Sequence, residues 1–153
     1  MTFVNALPSE EIGIVGTIAP IAATSSTTPS SEWISAAAFH RYLAVLEVGT
    51  IPSTGTVDCT VQQATDGSGA NAKAFTASKA ITQLTAGAGT RGHVALINIK
   101  QTDFDLANGF CFFQVQTNVL VATSPLACTI YGIDGMQNPA SLFNTAAVVQ
   151  TVN

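Results

Sequence analysis

The chain has 153 residues, with 5 Lys or Arg against 9 Asp or Glu, a formal net charge of −4 and only 9 % charged residues, where soluble proteins usually carry about 25 %. A pI near 4.8 and scattered basic residues (Arg41, Lys73, Lys79, Arg91, Lys100) argue against nucleic acid as a partner, because its binders carry a basic patch. No apolar run reaches the roughly 18–20 residues of a membrane helix, so a membrane is not expected as a partner either.

This length fits one domain with a substantial core. Its surface is left to Thr, Ser, Asn, Gln, Ala and Gly, which points to a molecule largely covered by other protein. No Lys or Arg precedes Arg41, so the positive start of a signal peptide is missing and synthesis in a cytoplasm is expected. Cys59, Cys111 and Cys128 are odd in number and far apart, and read as free thiols packed as small hydrophobes.

Residues 1–32 hold Pro8, Pro20, Pro29 and a Ser/Thr-rich run at 24–31, a composition that buries little by itself. They also hold Ile12, Ile14, Val15, Ile18 and Ile21. Two readings fit: an extended arm whose apolar residues contact a neighbouring subunit, or an edge strand of the domain followed by a loop.

From Trp33 onward the period is two. Residues 35–39 are the only helix-like stretch. Residues 42–48 form a strand that is apolar on both faces, hence central. A turn-rich connection at 49–55 leads to a strand at 56–63, with Val57, Cys59 and Val61 inward and Asp58, Thr60 and Gln62 outward. Loops at 66–71 and 87–92 flank a short strand at 79–84. Residues 93–99 form a strand, 102–106 a helical turn capped by Thr102 or Asp103, and Asn108-Gly109 a turn. The longest strand is expected at 110–122, with Cys111, Phe113, Val115, Thr117, Val119 and Val121 inward, and the last at 128–133. Residues 134–153 form a C-terminal arm in which Val148 and Val149 are further candidate partner contacts. Short strands separated by Gly/Ser/Thr loops indicate an all-β fold, a single antiparallel β-sandwich or jelly-roll-like domain over 33–133, with arms at 1–32 and 134–153.

No constellation for chemistry emerges, and no catalytic residue, cofactor or metal is expected. His40 and His93 lack the spacing of a metal site. Gly67-Ser-Gly69 is no nucleophile elbow. Asp103 and Asp105 lack the other oxygens that calcium needs and fit better as turn caps. Gly87-x-Gly89-x-x-Gly92 precedes a strand rather than a helix, against the dinucleotide fingerprint. Trp33, Tyr42 and Tyr131 are scattered and read as packing rather than a sugar platform. No pair of carboxylates suggests a glycosidase.

The blocks at 39–49, 57–66 and 79–85, continued at 95–99, 104–106 and 108–110, resemble small accessory virion structural proteins of tailed bacteriophages. The likeness covers roughly residues 33–133. It implies a non-enzymatic capsid decoration or cement protein, made in the host cytoplasm and carried on the virion. Its partners would be the major capsid protein and copies of itself. A neck, tail-tube or tail-terminator component and a host-glycan-binding module are the alternatives.

Overall fold

The computed structural model describes residues 7–25, 27–87, 92–137 and 139–152. Most of the glycine loop expected at 87–92 lies outside the described residues, with Arg91, as do residues 1–6, 26, 138 and 153 of the expected arms.

Among the described residues one helical turn, α1 (Pro8–Glu11), precedes nine strands: β1 (Ile12–Ala23), β2 (Ile34–Ser35), β3 (Phe39–Val48), β4 (Thr56–Ala64), β5 (Lys73–Ala74), β6 (Leu84–Thr85), β7 (His93–Lys100), β8 (Phe112–Leu120) and β9 (Ser124–Gly135). They form two antiparallel sheets packed as a sandwich. Sheet A has the order β1-β9-β3-β7, and sheet B the order β2-β8-β4-β5, with β6 also on β4. The pairing is nested: β1 with β9, β2 with β8, β3 with β7, and β4 with β5 and β6. A long antiparallel ribbon paired in this way folds across itself, and β9 then meets β3 while β8 meets β4. With β5 and β6 counted as one interrupted strand, this is the strand order of a jelly roll.

Alternation decides which side chains fill the space between the sheets. Val57, Cys59 and Val61 of β4 are buried as the period predicts, and so are Phe113, Val115, Thr117 and Val119 of β8. Tyr42, Ala44, Leu46 and Val48 of β3 face them from sheet A. An aromatic chain crosses the core: Tyr42 lies 4.8 Å from Phe113, Phe113 lies 5.8 Å from Phe104, and Phe104 lies 5.0 Å from Phe75, ring centre to ring centre.

Several local expectations are corrected. Val121 is not an inward residue of a strand reaching 122: β8 ends at Leu120, and Val121 takes φ 71° in the turn to β9 and is 69 % exposed. Cys111 precedes β8 and is half-buried. The strand expected at 79–84 touches β4 through the Lys79 carbonyl, the Thr60–Ala80 bridge and the Ile81 N–H, and forms regular strand only at Leu84–Thr85. The helical turn at 102–106 is split into two 3₁₀ turns, Gln101–Asp103 and Leu106–Asn108. There the Asp103 carboxylate accepts the Lys100 N–H at 2.8 Å. Residues 35–39 form no helix, since they end β2 and begin β3.

Much of the described part of both terminal segments packs onto the sandwich. Residues 12–23 form the edge strand of sheet A, paired along β9, which is the second of the two readings open from the sequence. Residues 27–31 then run beside β8, where the Thr117 N–H reaches the Pro29 carbonyl at 2.9 Å and the Ser31 N–H reaches that of Val115 at 2.9 Å. At the C-terminus a 3₁₀ turn, Ala140–Phe143, brings Phe143 to 5.6 Å from the Phe39 ring. Asn144 Oδ1 accepts the Ile14 N–H at 2.8 Å, and the Thr145 N–H donates to the Ile14 carbonyl at 2.7 Å.

Candidate interaction surface

The two outer faces of the sandwich differ sharply. On sheet B, β4 and β8 turn Asp58, Thr60, Gln62, Gln114, Gln116 and Asn118 outward, on the residues that alternate with the buried set. Gln62 Nε2 donates to Gln116 Oε1 across the strands at 3.3 Å, and Gln114 Nε2 donates to the Ser31 carbonyl at 2.8 Å. Uncharged amides supply most of this polar face, with Asp58 the one carboxylate among the six, which explains how a chain with so little charge still presents a polar surface.

The outer face of sheet A carries apolar side chains on all four strands, with Thr17, Thr129 and Asn98 among them. The registers align Ile14, Tyr131, Leu43 and Asn98 in one row and Thr17, Thr129, Val45 and Leu96 in the next. Val94 and Leu96 are 66 % and 59 % exposed. Charge is confined to the two ends. Arg41 and Lys100 stand at one end, where Arg41 pairs with Asp134, and Glu47 stands at the other beside Val94. At the Glu47 end, Pro20, Ile21, Gly49, His93 and Pro125 help line an open groove of about 660 Å³. His93 Nδ1 is buried and finds no hydrogen-bond partner among the described residues.

The residues expected as partner contacts are divided by two bulges in β1, which shift its register between Ile14 and Gly16 and between Ile18 and Ile21. A shift of one residue moves every later side chain to the other face. Ile12 and Ile14 therefore lie on the outer face, opposite Ile133 and Tyr131. Val15 sits at the first bulge and packs against the core. Ile18 is corrected: it is 5 % exposed, opposite Cys128, and is taken up by the domain's own core. Ile21 is exposed beside the end groove. Val148 is half-buried and Val149 is 92 % exposed. Sequence reading missed Leu43, Val45, Val94, Leu96 and Tyr131 as surface residues. The signal was present in the doubly apolar strand at 42–48, but it was read as burial on both sides.

The acidic pair is occupied locally. Lys73 and Asn108 hydrogen-bond Asp105 and hold its carboxyl below the usual range. For Asp103 burial acts upward, but hydrogen bonds from Lys79 and from the Lys100 N–H outweigh it and lower the value. Lys73 also lies 3.8 Å from the centre of the Phe110 ring. Among the described residues no three His, Cys, Asp or Glu gather to hold a metal ion. Nor is any described helix long and apolar enough to cross a membrane.

Three buried acids set an alkaline limit. Burial, reinforced by Cys128, pushes the Cys59 thiol from 9.0 up to about 12, and burial with Glu47 nearby does the same to Cys128. Burial raises Tyr42 from 10.0 to about 12, against backbone hydrogen bonds from Phe39 and Ala38 that its oxygen accepts. The folded state keeps these protons while the unfolded chain begins to release them near pH 9. Stability therefore holds below about pH 9 and falls between about 9 and 12, by up to about 1.4 kcal/mol per pH unit for each group. Urea unfolding across this window is expected to show the decline, and Cys59→Ala to make it shallower. A flat profile would contradict the burial of these groups.

Compared with known proteins, the chain matches no family model and no curated sequence.

Proposed function

We propose that this protein is a non-enzymatic structural component of a phage virion, a decoration or cement protein that binds the outer shell and strengthens contacts between major capsid subunits. The observation that carries the reading is the apolar outer face of sheet A, with charge only at its ends. A contiguous exposed apolar face favours contact with other protein, and assembly interfaces deplete Lys, Glu and Asp at their centres. The resemblance of residues 33–133 to accessory virion proteins supports the same reading. The jelly-roll order is compatible with it but does not select it, because the fold also serves lectin domains and cupins. A cupin-like role is disfavoured by an interior filled with Tyr42, Phe39, Phe113, Leu46 and Ile99. On a shell, modest contacts repeated over many copies give durable attachment.

The test is to purify DNA-filled particles made with this chain and locate the 15.7 kDa subunit by electron cryomicroscopy. Density at repeated sites on the outer shell is the expected result. Density in a single ring at the neck or tail would replace the cement role with the alternative. Absence of the chain from the particles would overturn the virion reading.

A further inference from the structure

We propose that β7 is a self-association edge, through which two copies pair antiparallel and join their four-stranded A sheets into one continuous sheet. The pairing specifies a self-contact that the virion reading includes. Because it is tested on the free protein, its failure and the failure of that reading are distinguishable.

The two edges of sheet A are built differently. β1 is protected by Pro20, by two register shifts and by the C-terminal segment, which takes both the N–H and the carbonyl of Ile14. These are the devices by which natural sheets block a new strand. β7 has none of them. Its eight residues, His93 to Lys100, pair with β3 without a register shift, contain no proline, and have no strand on their outer side among the described residues. In an antiparallel pair every second residue turns its N–H and carbonyl away from its neighbour. Half of β7 therefore offers a row of backbone donors and acceptors at the free edge, next to exposed Val94 and Leu96.

The occupant follows from symmetry and charge. An antiparallel strand pair about a two-fold axis keeps outward side chains on the outward face, so even-numbered β7 residues must oppose even-numbered ones. With Ile97 on the axis, Leu96 opposes the partner's Asn98, and Val94 opposes the partner's Lys100. β3 already places Glu47 beside Val94 and Arg41 beside Lys100. One row across the joint then reads Glu47, Val94, the partner's Lys100, the partner's Arg41. Each copy's anionic end thus meets the other's cationic end, twice per dimer. Arg41 is neutralised by Asp134, and Lys79 and Lys100 together outweigh Asp103, which leaves a net positive charge at the end that meets Glu47 across Val94. The two apolar faces become one surface of twice the width. A contact one strand long is small beside stable dimer interfaces, so the free protein associates weakly, with a Kd on the order of 100 μM.

Sedimentation of the full chain from about 10 μM to 1 mM, the range that brackets such a Kd, provides the test. A reversible monomer–dimer equilibrium is expected. Lys100→Glu should weaken it about tenfold by setting like charges together at two symmetric places, and Glu47→Lys with Lys100→Glu should restore it. A chain carrying both Leu96→Cys and Asn98→Cys should form a covalent dimer under mild oxidation. Circular dichroism and thermal unfolding establish that each variant is folded. A wild-type chain still monomeric at 1 mM would overturn the pairing. So would a dimer indifferent to the charge exchange and refractory to the cysteine cross-link.

Discussion

Replacing Phe113 with alanine is expected to lower the unfolding free energy by about 3–5 kcal/mol, the range for deleting a buried aromatic ring. Phe113 is fully buried, and it is the link through which Tyr42 of sheet A meets the Phe104–Phe75 pair. Its loss leaves a cavity that neither sheet can close without disturbing its strand registers. The urea midpoint should fall with little change in slope, and the thermal midpoint should drop by roughly 10 °C. Phe112 is the natural control. It is adjacent on β8, half-buried, and on the alternate face, so Phe112→Ala should cost well under half as much. Equal losses at the two positions would contradict the facing of β8.

Gly132→Ala is the second large effect, and it acts by overpacking. A Cβ built at Gly132 would stand 2.4 to 2.6 Å from three ring atoms of Phe39. That ring is fully buried, and Phe143 and Tyr42 meet it edge-on at 5.6 and 6.0 Å. Gly13 presses on the same ring from β1, where an added Cβ would come within 2.7 Å. The ring has no free direction in which to move, so one added methyl is expected to cost about 1–3 kcal/mol. The test is a double-mutant cycle: Phe39→Leu should recover part of the loss caused by Gly132→Ala. Strict additivity of the two substitutions would show that the clash with the ring is not the cause.

Much of this architecture was legible along the chain. The strand at 56–63 was read from its alternation and that at 42–48 from its doubly apolar run, and these and the strand at 93–99 each lie within an observed strand. The inward set of β4 could be read because Val57, Cys59 and Val61 alternate with polar residues. Val121 could not be placed, because nothing local distinguishes a valine that continues a strand from one that takes a left-handed turn. That choice is made by where β9 must begin to pair with β3 and β1. The register of β1 was hidden for a similar reason. Its first bulge ends at Gly16, where an added Cβ would meet Ile34 of the other sheet at 2.5 Å, a contact that no local pattern reveals.

By itself the sequence determined the class of the fold, most of the buried set and the scarcity of charge, because side-chain alternation and composition are local properties of the chain. Only the tertiary structure decided that residues 12–23 complete sheet A, and that the apolar residues of β3, β7 and β9 share one face that no described residue covers. It also distinguished an open edge at β7 from a guarded one at β1. Each of these depends on which strands lie side by side, and nested pairing between residues as distant as Ile14 and Tyr131 is set by packing of the whole ribbon rather than by any segment of it.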